Sequence, residues 1–140
     1  MQVDSLKLAQ KLNSACNDCY TDARTLDVYL QINTSGEDSK SGTEPAGAAA
    51  LALSVVKECP RLRVAGLMTI GAPGDGGASF TTLVEARHAV ASALGVTDVQ
   101  SLALSMGMSN DFEAAIGKGA TSVRVGSKIF GARDYSNKNA

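Results

Sequence analysis

Leu26-Asp-Val-Tyr-Leu-Gln-Ile-Asn33 is the stretch on which the fold turns. Val28, Leu30 and Ile32 alternate with Tyr29, Gln31 and Asn33, so a β-strand here has one apolar and one polar face. Upstream the period is different. Leu8, Leu12, Ala15, Cys16 and Cys19 fall at i, i+4, i+7, i+8 and i+11, one stripe of an amphipathic helix over 5–19, with Asp4 or Ser5 placed to cap it. Downstream, the polar run Thr34-Ser-Gly-Glu-Asp-Ser-Lys-Ser-Gly42 is a loop. Thr43 and Pro45 then open a second helix in which Ala48, Leu51, Ala52, Val55 and Cys59 share a face.

The same phrase recurs. Leu62–Ile70 reads as a strand, Gly71–Ala78 as a Gly-rich loop and Ser79–Leu94 as a helix closed by Gly95. Val99–Ser105 is a third strand, followed by a turn over Met106–Ser109 and a short helix with Asn110 and Glu113 set as a capping pair. Thr121–Val125 is a fourth, and Gly126-Ser127 begins a turn toward Ile129-Phe130-Gly131. The polar residues 134–140 predict a frayed tail. Strands alternating with helices at this pitch imply crossover connections and a parallel sheet. Four such strands fit part of a doubly wound sheet or half of a (β/α)8 TIM-type barrel. The polar inner face (Gln31, Asn33) and the short turns favour the half barrel. The expectation is an α/β fold of about four parallel strands with helices, a single partial domain over 1–140.

Composition narrows the partners. With 44% apolar and 19% charged residues in 140, the chain can bury one core and is not disordered. Lys plus Arg total 13 against 14 acids, which leaves no electrostatic footprint for DNA or an anionic membrane. Aromatics at 4% without Trp supply few stacking platforms for single strands. The longest apolar stretch, 46–56, is far short of the roughly 20 residues a bilayer span needs. No nucleic-acid partner and no membrane are therefore expected. Cys16-Asn-Asp-Cys19 has the spacing of a redox or half-zinc motif. Without a second CxxC, and with His88 the sole histidine, a structural or incidental role is favoured. No secretory signal precedes the three cysteines, so a cytoplasmic location is expected, with a mitochondrial one left open.

Ligands of parallel α/β folds sit beyond the carboxyl ends of the strands. Two loops there suit an anion. Ser109 ends a Gly-containing turn before a helix, and Gly126-Ser127 follows the last strand, offering close backbone approach, a hydroxyl and free amides. The plainer alternative is a Gly turn with a Ser cap at each place. Arg124, between Val123 and Val125, points to the barrel interior, where a guanidinium is costly unless partnered. It faces either a ligand ring or carboxylate, or a structural ion-pair partner such as Glu37 or Asp111. Met106 and Met108 could line a pocket or fill core gaps. His88 reads as a surface residue. The loop Gly71-Ala-Pro-Gly74-Asp-Gly-Gly77 lacks the Lys-Ser/Thr of a P-loop and reads as mobile, and Asp75 has no companion metal ligands.

Gln31-Ile-Asn-Thr-Ser-Gly-Glu-Asp-Ser-Lys-Ser-Gly42, Gly66-Leu-Met-Thr-Ile70, Leu104-Ser-Met-Gly-Met-Ser109 with Asp111, and Val123-Arg-Val-Gly-Ser127 with Ile129-Phe-Gly-Ala-Arg133 occur in this order. Together they resemble the pyridoxal phosphate homeostasis protein family, relatives of the alanine racemase N-terminal barrel. The resemblance runs from about Val3 to Tyr135. It implies a barrel that binds pyridoxal 5′-phosphate as a Schiff base on a lysine near the first strand, with no established catalysis and a role in vitamin B6 balance. It further implies that Ser109, Gly126 and Ser127 hold the cofactor phosphate, with Met106 nearby. Arg124 would face the pyridine nitrogen, where a cation disfavours protonation and weakens the electron sink.

Gly119-Ala-Thr121 departs slightly from the family's usual Gly-Ser-Thr. A larger departure is the absence of the family's N-terminal half, with its cofactor lysine. Lysines 7, 11, 40, 57, 118, 128 and 138 match none of the expected position. The expectation is thus a truncated, non-enzymatic member with the small-molecule cofactor as partner. The alternatives are a fragment of a racemase-type enzyme and a truncated isoform acting through protein interaction. Half a barrel exposes two sheet edges, which predicts self-association or poor solubility.

Overall fold

Five parallel strands, hydrogen-bonded in chain order, form a single sheet: β1 (Gln2–Val3), β2 (Leu26–Gln31), β3 (Leu62–Met68), β4 (Ala103–Met108) and β5 (Ser122–Arg124). The computed structural model describes residues 1–37, 41–72, 74–75 and 77–131. Lys40, Lys138, Arg133 and the tail expected to fray lie outside the described residues. Helices α1 (Leu6–Cys19), α2 (Ala48–Glu58), α3 (Ala78–Leu94), α4 (Phe112–Gly117) and α5 (Ser127–Phe130) alternate with the strands. The strand order never reverses, as it would at the switch point of a doubly wound sheet. The sheet is an arc of a barrel, and it is not closed.

Register sorts the side chains into two faces. Leu30, Leu67 and Leu104 stand side by side across β2, β3 and β4, fully buried toward the helices. One residue on, Gln31, Met68 and Ser105 form the next row on the opposite face. Ala9, Ala52, Val55, Phe80, Leu83 and Val90 close the helical side of the core. Each large side chain buried this way contributes about 1.5–3 kcal/mol, so the leucine row fixes which face receives the helices.

The four expected strands are present, together with β1, too short for any alternation to show. Val3 is fully buried there, and the Tyr29 amide donates to the Met1 carbonyl at 2.8 Å. Ser5 caps α1, accepting from the Leu8 amide, and Gly95 closes α3 at φ +67°. The third expected strand starts later than its sequence suggests. Val99–Ser101 is a 3-10 turn capped by Asp98, whose carboxylate accepts from the Gln100 amide at 3.0 Å. A local side-chain acceptor outcompetes strand propensity there. The residues expected as a turn, Met106–Met108, continue β4 instead. Asn110 does not cap α4. Asp111 takes that position, and its Oδ1 accepts from the Met108 amide at 2.6 Å, folding the turn back onto β4.

Candidate functional site

β4 ends at Met108 and β5 at Arg124, and these two residues are register partners. The loops that follow therefore leave the sheet side by side. Ser109, only 7% exposed, presents Oγ to the Gly126 amide at 3.1 Å and the Lys128 amide at 3.3 Å. Two backbone donors converge on one oxygen at the start of α5. A hydroxyl that accepts twice keeps its own hydrogen free to donate, so Ser109 itself becomes an oriented donor. Both amides are taken up by Ser109, and its hydroxyl hydrogen is the donor that this candidate anion cradle offers.

Arg124 reaches across the rim on the inner face. Its Nη1 donates to Ser105 Oγ at 2.8 Å and its Nη2 to the Thr69 carbonyl at 2.7 Å. Among the described residues no carboxylate pairs with it, so neither Glu37 nor Asp111 is an ion-pair partner. Burial pulls the guanidinium below its ordinary pKa, while the charge of Asp111 works in the opposite direction. Two neutral acceptors orient the group without neutralising it.

A cavity of about 1120 Å³ opens over these groups. Ser109, Arg124, Gly126 and Ser127 line it together, and so do Met108 and Asp111. Met106 does not. It is fully buried in the core with Leu104, and the positive φ of Gly107 (+90°) turns the chain so that Met108 reaches the cavity instead. The far wall comes from Ile70, Phe80 and the loop after β3.

That loop, expected to be mobile, is organised in its described residues by Asp75. The carboxylate accepts from the Gly77 amide at 2.8 Å, the Ser79 amide at 3.0 Å and the Ser79 hydroxyl, while Ser79 Oγ in turn accepts from the Ala72 amide. Burial raises the Asp75 pKa, and these hydrogen bonds outweigh it, so the net shift is downward. Among the described residues no group of three His, Cys, Asp or Glu could hold a metal, and His88 is exposed on α3. Thr69 and Ser105, which carry Arg124, gave no sequence signal, being single small polar residues inside strand-like runs. Asp111 had one: an acid three residues beyond a strand's last amide.

The chain matches the family described as alanine racemase, N-terminal domain, over residues 1–134. It is 48% identical to the pyridoxal phosphate homeostasis protein of Bos taurus, covering 97% of this chain and 51% of that protein. The Escherichia coli K12 protein of the same name is 42% identical, over 97% of this chain and 56% of the relative. The chain thus spans about half the length of these curated relatives. Among solved structures, PipY of Synechococcus elongatus, solved without and with pyridoxal phosphate (PLP), superposes with TM-scores of 0.73 and 0.68 at 30% identity. It covers 92% of this chain and 59% and 58% of the PipY chains. A Clostridium difficile alanine racemase at 16% identity, TM-score 0.66, over 97% of this chain and 35% of its own, shares the fold. The chain belongs to the alanine racemase N-terminal domain family and, within it, to the pyridoxal phosphate homeostasis proteins.

Proposed function

We propose that this chain is a non-catalytic PLP-binding protein that holds the cofactor by its phosphate. The observation that carries this is the convergence of the Gly126 and Lys128 amides on Ser109 Oγ beside an Arg124 that has no carboxylate partner among the described residues. Ser109, Gly126 and Ser127 take the phosphate, and Met108 replaces Met106 as the methionine against the cofactor. Arg124 faces the pyridine nitrogen and keeps a proton off it. Bound PLP supplies an electron sink, and this arrangement blunts it. Names of the relatives as homeostasis proteins, and the PLP-bound form of PipY, support the same reading.

No lysine among the described residues lines the cavity. We therefore take the hold within these 140 residues to be non-covalent and reversible, in a cytoplasmic protein. No helix of the described residues is long and apolar enough to cross a membrane. Titration with PLP, followed by absorbance, should show binding that inorganic phosphate displaces. Ser109→Ala should weaken it by about tenfold or more, since a hydrogen bond to a charged group is worth about 1.5–3 kcal/mol. Borohydride treatment followed by peptide mapping should label no lysine. Binding indifferent to phosphate would remove the clasp from the proposal, and a single labelled lysine would remove the non-covalent hold.

A further inference from the structure

On the far side of the sheet from the candidate anion cradle, at the amino ends of the strands, a second and smaller cleft of about 200 Å³ is lined by three sulfur-bearing residues: Met1, Cys16 and Cys19. Its other lining residues are Leu12, Ala15, Leu26 and Tyr20, of which only Tyr20 has a side-chain oxygen. Both cysteines are free thiols in the last turns of α1. Cys16 is buried at 5% exposure and Cys19 opens to solvent.

The lack of a second CxxC and of a histidine besides His88 favoured a structural or incidental role for this pair, and helix geometry now decides which chemistry it suits. Residues three apart on a helix hold their Cβ atoms about 5–6 Å from each other. A disulfide needs about 3.5–4.5 Å, so an intact α1 holds the pair too wide for one. A metal ion inserted between two sulfurs, at about 2.3 Å from each, spans that wider gap. The remaining donors select the metal. Hard cations require several oxygens, which the cleft does not offer, whereas thiolate and thioether sulfur in apolar surroundings suit Cu(I).

We propose that Met1, Cys16 and Cys19 form a binding site for a soft, thiophilic cation of the Cu(I) type, independent of the anion cradle. Each thiol loses its proton to solvent as its sulfur binds, and the ion keeps its charge state, so no oxidant is needed. Cys59 is the internal control. It is fully buried at the end of α2 and lies outside the cleft.

The test is competition for Cu(I) between the 140-residue chain and bathocuproine disulfonate under anaerobic conditions. The chain should take up about one Cu(I) with sulfur-only coordination by X-ray absorption. Cys16→Ala and Cys19→Ser should each weaken uptake by about tenfold or more, and Cys59→Ala should leave it unchanged. Cys19 is exposed, so Cys19→Ser keeps the fold, which far-UV circular dichroism verifies, and it decides the matter should Cys16→Ala not fold. Uptake by Cys19→Ser as tight as the parent's, nitrogen or oxygen ligands, or loss of uptake in Cys59→Ala would overturn the proposal. So would ready closure of a Cys16–Cys19 disulfide with the helical signal intact.

Discussion

Gly107 sits at φ +90°, and a Cβ placed there would lie 2.5 Å from Ala115 Cβ and 3.0 Å from Phe112 Cα. Both the backbone conformation and the close approach of α4 demand glycine. Its left-handed conformation near the end of β4 lets Met108 reach the cavity, while Met106, two residues after Leu104, keeps to the core side, and Ser109 follows under the amides of the next loop. Gly107→Ala should cost about 1–3 kcal/mol in urea denaturation and weaken phosphate competition at the same time. Met106→Leu, a volume-conserving change in the core, should cost less than about 1.5 kcal/mol and leave PLP titrations unchanged. A large loss of affinity in that variant would return Met106 to the site. Ser109, Gly126 and Ser127 could be singled out as candidates because Gly and Ser stand at strand-to-helix junctions beyond the sheet, a pattern that a plain Gly turn with a Ser cap also gives. Met106 stood among the candidates although alternation from Leu104 puts it on the core side of β4.

At the scale of elements, α3 shows how a loop is set by a group outside the helix. Its N-cap, Gly77, offers no side chain, and Asp75 supplies the acceptor from two residues upstream. Asp75→Ala should destabilise the fold by about 0.5–2 kcal/mol, the range of a lost N-terminal cap, by urea denaturation. The sign of the pH effect follows from the lowered pKa. The folded protein releases this proton more readily than the unfolded chain, whose Asp titrates near pH 3.9. The stabilisation is therefore present above about pH 4 and lost as pH falls through the lowered folded value. Asp75→Asn should lack that component of the acid unfolding curve. Sequence pattern placed α1, α2, α3, β2 and β3 well because long periodic runs average out local exceptions. It misplaced the start of β4, where one carboxylate, Asp98, wins three residues for a 3-10 turn.

The whole molecule is an arc with β1 and β5 at its ends. Beyond β5, Ile129 and Phe130 of α5 are 67% and 85% exposed, with Ile116 of α4 also open to solvent. Parallel strands with open edges and apolar neighbours favour association. The 140-residue chain in isolation should self-associate or be poorly soluble, as light scattering after size exclusion would show. Phe130→Lys should shift the distribution toward monomer. A cooperatively melting, monomeric parent chain would contradict the expectation.

By itself the sequence determined the alternation of strands and helices, the apolar face of each, the parallel sheet, and the pairing of two Gly-Ser turns with one inward arginine. These are local or periodic properties, set by side-chain chemistry over a few residues. Only the tertiary structure decided that Ser109 meets the amides of residues 126 and 128, that Arg124 rests on Thr69 and Ser105, and that Met108 rather than Met106 lines the cavity. Those depend on register between strands far apart in the chain, and register emerges from packing the whole sheet against its helices.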